Sequence, residues 1–418
     1  MRNDLITRAE NDCKAQHQNV SKIVEQNQKR VLGAFMNNRI SDTHFHSTTG
    51  YGYDDMGREA LEAVYADVFG GEDALVRPQM VSGTHAIATA LFGMLRPGDE
   101  LLYITGKPYD TLESVIGIND EQSGSLNDFH ISYNQVDLLE DGSINFEGIK
   151  RKLTTKTKVI AVQRSKGYDD RPSFSIDAIE EMIQFVKSIN NNLIVFVDNC
   201  YGEFVECREP LHAGADIMAG SLIKNPGGGI VRAGGYIVGK KGLVEQCANR
   251  LMAPGLGKEA GATFNTLQEM FQGLFLAPHV VGEALKGAIL TARYLDIAGF
   301  QTSPAYDAFR TDLIQTVTFN NSEEMIAFCQ AIQHNSPIDA FVTPHPSAMP
   351  GYQDEVIMAA GTFIQGASLE LTADGPIREP YTAFVQGGLT YSHVKIALEA
   401  AVQVMLRDTP SYEKAEES

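Results

Sequence analysis

A chain of 418 residues has length for roughly two or three domains of ~150 residues each, and its 43% hydrophobic and 21% charged content place it among globular rather than disordered or fibrous proteins. Lysine and arginine total 34 against 53 aspartates and glutamates, a net charge of -19 with no basic block, so the footprint of a nucleic-acid binder is missing. Cys13, Cys200, Cys207, Cys247 and Cys329 are odd in number and form no C-x-x-C, which points away from a disulfide framework or zinc site and towards a reducing cytoplasm. The opening "MRNDLITRAENDCKAQ" lacks the apolar centre of a signal peptide, and no 18-residue apolar stretch is expected, so the chain reads as cytoplasmic and non-membrane.

Residues 1–50 read as a polar helical arm ending in the turn-rich "SDTHFHSTTGYGYDD". Helix and short buried strand then alternate. "MGREALEAVYADVFG" predicts a helix, "ALVRPQMV" a strand, "GTHAIATALFGML" a helix and "ELLYITG" a strand. The pattern continues through "KVIAVQR", the helix 176–189, "LIVFVDN", "IMAGSLI" and "GGYIVG". Apolar runs separated by amphipathic helices predict a mainly parallel central sheet covered by helices, an α/β domain over 51–295. A helix from Pro278 to Ile297 leads into a smaller C-terminal α+β domain, 296–418, with strands in "LIQTVTF" and "EVIMAAGTF" and a closing helix in "SHVKIALEAAVQVML".

Ligands of an open parallel sheet collect beyond the carboxyl ends of its strands. Ser82, Gly83 and Thr84 open a helix there, where backbone N–H groups could hold a phosphate; taken alone they read as an N-cap and turn. Tyr109 could stack on a planar ligand, or pack beside its proline. Asp198 ends "LIVFV", where a carboxylate caps a turn or faces a cation. Lys224 ends another apolar run and is followed by "NPGGG", four of five positions being Pro or Gly. An amine, a carboxylate, a phosphate-type turn and an aromatic ring at four strand ends match what pyridoxal phosphate requires.

Seven segments in order, "GYGYDDMGR", "VSGTHA", "RPGDELLY", "TGKPYDT", "VDNCYGEF", "AGSLIKNPGGG" and "PIREPYTAFVQGGLTYSH", resemble the methionine γ-lyase-like family, also called aluminium resistance proteins, among fold-type I pyridoxal-phosphate enzymes. The resemblance implies a fold-type I transferase-like architecture and pyridoxal 5'-phosphate as cofactor. Lys224 would form the Schiff base, Asp198 would face the ring nitrogen, and Tyr109 would stack on the ring. Ser82, Gly83, Thr84 and Ser221 would hold the phosphate, and Arg378 the substrate carboxylate. Better known lyases carry a hydroxyl residue before the lysine, where this chain has Ile223. Those lyases also use a Tyr-x-Arg pair from a neighbouring subunit, for which Tyr51, Tyr53 and Arg58 are the candidates, in a homodimer or homotetramer with shared sites.

The implied activity is carbon-sulfur lyase action, β- or γ-elimination on a sulfur amino acid such as cystathionine, cysteine or methionine. The alternatives are γ-replacement or transamination on the same cofactor, or a non-catalytic role in metal tolerance. His44 and His46 have metal-like spacing without a visible third ligand. Lys166 ends a strand and rivals Lys224, with Arg164 beside it as a polar contact. Cys200 has no histidine nearby in sequence to activate it.

Overall fold

The structure, a computed structural model, describes residues 2–118, 123–169, 171–349 and 352–407. The chain forms two units, one made of Glu25–Pro278 and the other of Met1–Val24 with His279–Ser418. The expected arm is therefore divided: helix α1 (Arg2–Asp12) and the start of α2 (Lys14–Asn37) belong with the C-terminal residues, and the rest of α2 with the larger unit. The reason is apolar burial. Ile6 and Ala9 of α1 join a core with Leu290, Tyr294, Phe328 and Leu398.

In the larger unit, α3 (Met56–Phe69) starts at Asp55, whose carboxylate accepts the Arg58 N–H, and stops at Gly70 in the left-handed region, φ 78°. Strand β1 (Asp73–Arg77) ends earlier than expected because Pro78 has no N–H for a ladder. After α4 (Gly83–Met94), strands and helices alternate as β2 (Glu100–Tyr103), α5 (Asp110–Ile116), β3 (Ser132–Gln135), α6 (Phe146–Lys152), β4 (Thr157–Gln163), α7 (Ile176–Ile189), β5 (Ile194–Asp198) and β6 (Ile217–Ser221). Strand β7 (Gly235–Gly239) and α8 (Lys241–Leu251) follow, then α9 (Leu267–Ile297). Seven strands form one sheet in the order β1-β7-β6-β5-β4-β2-β3. From β3 to β6 the neighbours are parallel, and β7 is antiparallel to both β6 and β1.

Buried on both faces, β4 and β5 are continuous apolar runs, as a covered parallel sheet requires. Ala86, Ala90 and Leu91 of α4 pack with Ala219, Phe196 and Ile237 of the sheet. Register places Gln163 beside Asp198 and Asp198 beside Ala219. The ends of β4, β5 and β6 are thus set next to one another.

Helix α9 begins at Leu267, eleven residues before the expected start, with Pro278 inside it. Among the described residues it is the one helix long and apolar enough to cross a membrane, which corrects the expectation of no such stretch; most of that stretch is buried inside the protein. The smaller unit adds β8 (Gln301–Ser303), β9 (Gln315–Thr318), α10 (Ser322–Gln333), β10 (Val356–Ala359), β11 (Thr372–Pro376), β12 (Thr382–Gln386) and α11 (Tyr391–Arg407). Its strands form an antiparallel sheet in the order β10-β11-β12-β9-β8. This unit is the expected α+β mixture.

Candidate active site

Strand β6 stops at Ser221, and the Leu222 N–H donates to the Gly234 carbonyl at 3.0 Å as the chain turns away. Lys224 then opens a single 3-10 turn, Asn225–Gly227, closed by the Gly227 N–H on the Lys224 carbonyl at 3.0 Å. The glycines allow this turn to lie flat. A Cβ on Gly227 would stand 1.8 Å from the Leu222 oxygen, and one on Gly228, at φ 57°, 2.3 Å from the Gly273 oxygen of α9. The turn holds the Lys224 Nζ 4.0 Å from the centroid of the Tyr201 ring. Tyr201 takes a left-handed conformation, φ 71°, at a position where a side chain is uncommon.

Burial alone favours the neutral amine of Lys224; negative charge on the groups around it, Asp198 among them, pulls the other way and moves its proton affinity above that of an ordinary lysine. Asp198 is buried and accepts the Cys200 N–H at 3.1 Å. Burial raises its carboxyl above the usual carboxylate range, opposed by Lys224 and, more weakly, Arg171. A cation brought to this carboxylate would relieve that desolvation.

Ser82 caps α4 by accepting the His85 N–H at 3.0 Å, and the first N–H groups of the helix have no carbonyl one turn behind them. Thr84 shares a 2.9 Å hydroxyl contact with Thr111. Gly83 faces the end of β6: a Cβ there would lie 3.2 Å from the Ser221 Cβ and 3.4 Å from the Cys200 Sγ. A side chain would crowd the place where hydroxyls, helix N-terminus and strand end converge. Tyr109 N-caps α5 at the same carboxyl edge, against Gly167 and with its ring 6.1 Å from that of Tyr168. An amine, a buried carboxylate, the Ser82 and Thr84 hydroxyls at a helix N-terminus, the Ser221 hydroxyl at a strand end and an aromatic ring form a donor set that fits pyridoxal phosphate.

Other candidates lie elsewhere. The Arg58 guanidinium is buried on its own chain and donates to the carbonyls of Gly52, Gly261 and Glu259, the last two at 3.0 and 3.3 Å. In this chain it supports local structure. Tyr51 and Tyr53 are exposed and stacked, centroids 5.4 Å apart. Arg378 belongs to the smaller unit, half-exposed and paired with Asp354 at 3.1 Å. Arg164 is fully buried and holds the turn after β5 through Asn199 at 2.9 Å, the Gly202 carbonyl at 2.8 Å and Glu206 at 2.8 Å. Lys166 is buried, its N–H donating to Ser173. The His44 Nδ1 accepts the Ser41 N–H, within a short turn. Burial pushes the Cys200 thiol well up, so it stays protonated. The residues overlooked in the sequence are Tyr201, Glu203 and Asn225. All three stand inside quoted motifs, and only the pairing of β6 with β7 and the turn after β5 reveals their roles.

A mainly parallel sheet with these groups at its carboxyl edge, joined to a separate antiparallel sheet, defines the fold-type I pyridoxal-phosphate enzyme architecture. The same fold is seen, at 16% identity and a TM-score of 0.58, in a Campylobacter jejuni structure containing a pyridoxyl-lysine, with 83% of this chain and 85% of that one covered. The methionine gamma-lyase family matches residues 2–406, and the chain belongs to that family. It is 63% identical over 399 residues to the uncharacterized protein YnbB of Bacillus subtilis, covering 95% of each. Among solved structures, a Listeria monocytogenes protein described as a candidate cystathionine beta-lyase involved in aluminum resistance is 60% identical, with a TM-score of 0.95 over 96% of this chain and 100% of that one. A carbon-sulfur lyase involved in aluminum resistance from Clostridium novyi is 50% identical, with a TM-score of 0.92 over 96% and 95% of the two chains.

Arg58→Ala leaves three carbonyls without their donor, of which only Gly52 is on a buried residue, and is expected to lower unfolding stability by about 1 to 2 kcal/mol. Urea unfolding midpoints check this; a wild-type midpoint would mean that those carbonyls find other donors.

Proposed function

We propose that this chain is a pyridoxal-phosphate-dependent carbon-sulfur lyase that eliminates a thiol from the β- or γ-carbon of a sulfur amino acid. The observation that carries the reading is the convergence of Lys224, Asp198 and the Ser82–Thr84 helix start at adjoining strand ends. When bound, the cofactor supplies an aldehyde that captures amines and a ring that accepts electrons. Ser82, Thr84 and Ser221 hold its phosphate beside the α4 N-terminus, with Gly83 keeping the floor open. Tyr109 packs on the ring, and Asp198 keeps a proton at the ring nitrogen through a charge-assisted hydrogen bond. Lys224, held over Tyr201, takes the proton from the substrate Cα at its Nζ and can return it at the next position. Loss of the thiol, with one water consumed, yields a keto acid and ammonia.

Arg378 binds the substrate carboxylate, its fork matching two carboxylate oxygens. The assembly is a homodimer or homotetramer with shared sites, supported by the exposed pair Tyr51 and Tyr53, which is free to meet a second copy. A cytoplasmic location is supported by five unpaired cysteines.

A product screen across cystathionine, cysteine and methionine should yield keto acid with free ammonia. Amino-group transfer without ammonia would replace the lyase reading by an aminotransferase. Asp198→Asn should retain cofactor absorbance while losing at least a hundredfold in kcat; near-wild-type turnover would assign the ring nitrogen to another group. Arg378→Ala should raise KM by tenfold or more, a charge-assisted contact being worth roughly 1.5 to 3 kcal/mol, and an unchanged KM would move the carboxylate site. Mixing Lys224→Ala with Tyr51→Ala/Tyr53→Ala chains should recover activity in mixed dimers. No recovery in verified mixed dimers would place both tyrosines outside the partner's site.

A further inference from the structure

Beneath the lysine turn lies a buried acid that the proposed chemistry leaves unused. Glu203 is fully buried, and its Oε1 accepts the Tyr236 hydroxyl at 2.6 Å. Its Oε2 is buried without a hydrogen-bond partner, as is the Tyr65 hydroxyl. Tyr236 lies on β7 opposite Gly220 of β6, and a Cβ on Gly220 would stand 2.7 Å from both the Glu203 Oε1 and the Tyr236 hydroxyl, so the glycine makes room for the pair. The surrounding wall is aromatic: Phe69 stacks on Tyr236 at 5.5 Å and meets Phe204 at 5.4 Å. The Glu203 carbonyl accepts the Asn225 Nδ2 at 2.9 Å, and Asn225 is the residue after Lys224. The same turn, two residues earlier, carries the Tyr201 ring under the Lys224 amine.

We propose that Glu203, held as the neutral acid against Tyr236, is a positioning residue that fixes the Tyr201 and Asn225 supports of Lys224 while keeping negative charge away from beneath the amine. This rests on the reading of Lys224 as the cofactor lysine. A carboxylate oxygen with no donor in an aromatic wall disfavours ionisation. Burial pushes the Glu203 carboxyl up to about 8, against the pull of the Tyr236 hydroxyl and Lys224. The groups facing it are Tyr65 of α3, Tyr236 of β7, Lys224 and Cys200 of the adjoining turns, and Glu209; Tyr65, Tyr236 and Cys200 are themselves shifted up and remain neutral through that range. Once Glu203 ionises, its charge favours the Lys224 ammonium, and less of the lysine stands as the free amine that can take a proton. The role requires the neutral form.

The sign of the stability effect follows from linkage. Between 4.5 and about 8 the folded chain keeps a proton on Glu203 that the unfolded chain has lost, so this group lowers stability progressively as pH rises through that window. E203Q, neutral at every pH, should remove that slope from urea unfolding measured on cofactor-free protein. Infrared spectra of the wild type should show a protonated carboxyl band that disappears with a midpoint near pH 8 and is missing from E203Q. In activity, E203A should lose at least tenfold in kcat near neutrality, E203Q should restore most of that loss, and the alkaline limb of its pH profile should move upward. The proposal is overturned by an E203Q variant as defective as E203A, by an unfolding slope that E203Q leaves unchanged, or by a Glu203 band already lost at pH 6. If E203A fails to fold, the infrared and unfolding comparison of wild type with E203Q still decides the case. A wild type with no cofactor and no lyase products would overturn the cofactor reading, while the unfolding and infrared results still judge Glu203.

Discussion

The structure depends on how a lysine ammonium is kept at the end of a buried strand. Lys224 follows β6 into a turn so tight that only glycine fits at 227, and its amine is set above the Tyr201 ring at 4.0 Å. Burying an unpaired ammonium costs several kcal/mol, and the neighbourhood offsets this with a π-face and the carboxylate of Asp198. Asp198 faces the converse problem, its carboxyl raised by burial. Each group is therefore poised for a cation or a carbonyl brought from outside the chain.

The sheet provides this poise through register. Asp198 sits beside Gln163 of β4 and Ala219 of β6, so the carboxylate, the Ser221 end and the lysine turn share one edge with the start of α4. Arg164 then stabilises the turn after β5 from below through Asn199, the Gly202 carbonyl and Glu206. Removing a partner from so buried an ionic group leaves uncompensated charge. The turn that carries Tyr201 and Glu203 is held by these contacts in a conformation where Tyr201 and Phe204 both adopt positive φ.

Much of this was legible in sequence because the relevant signals are local. The lysine, the aspartate and the Ser-Gly-Thr turn each stand where an apolar run meets turn residues, and α7 has the bounds that its apolar period predicts. Signals that depend on distant partners were not legible. Arg58 looked available in "GYGYDDMGR", yet its carbonyl partners Glu259 and Gly261 are about two hundred residues away. Glu203 looked like one more polar residue of a motif until β7 brought Tyr236 to it. The division of the N-terminal arm and the early start of α9 were hidden similarly, since Ile6 and Ala9 are buried against C-terminal residues and Phe271 packs edge-on against Phe35, both remote in sequence.

The central claim is that Lys224 is the residue that binds the cofactor covalently. Borohydride reduction of the protein with pyridoxal phosphate, followed by peptide mass mapping, tests it most directly. The account predicts a phosphopyridoxyl adduct on the peptide carrying "SLIKNPGGG", at Lys224. An adduct on Lys166, or none on any lysine, would contradict it.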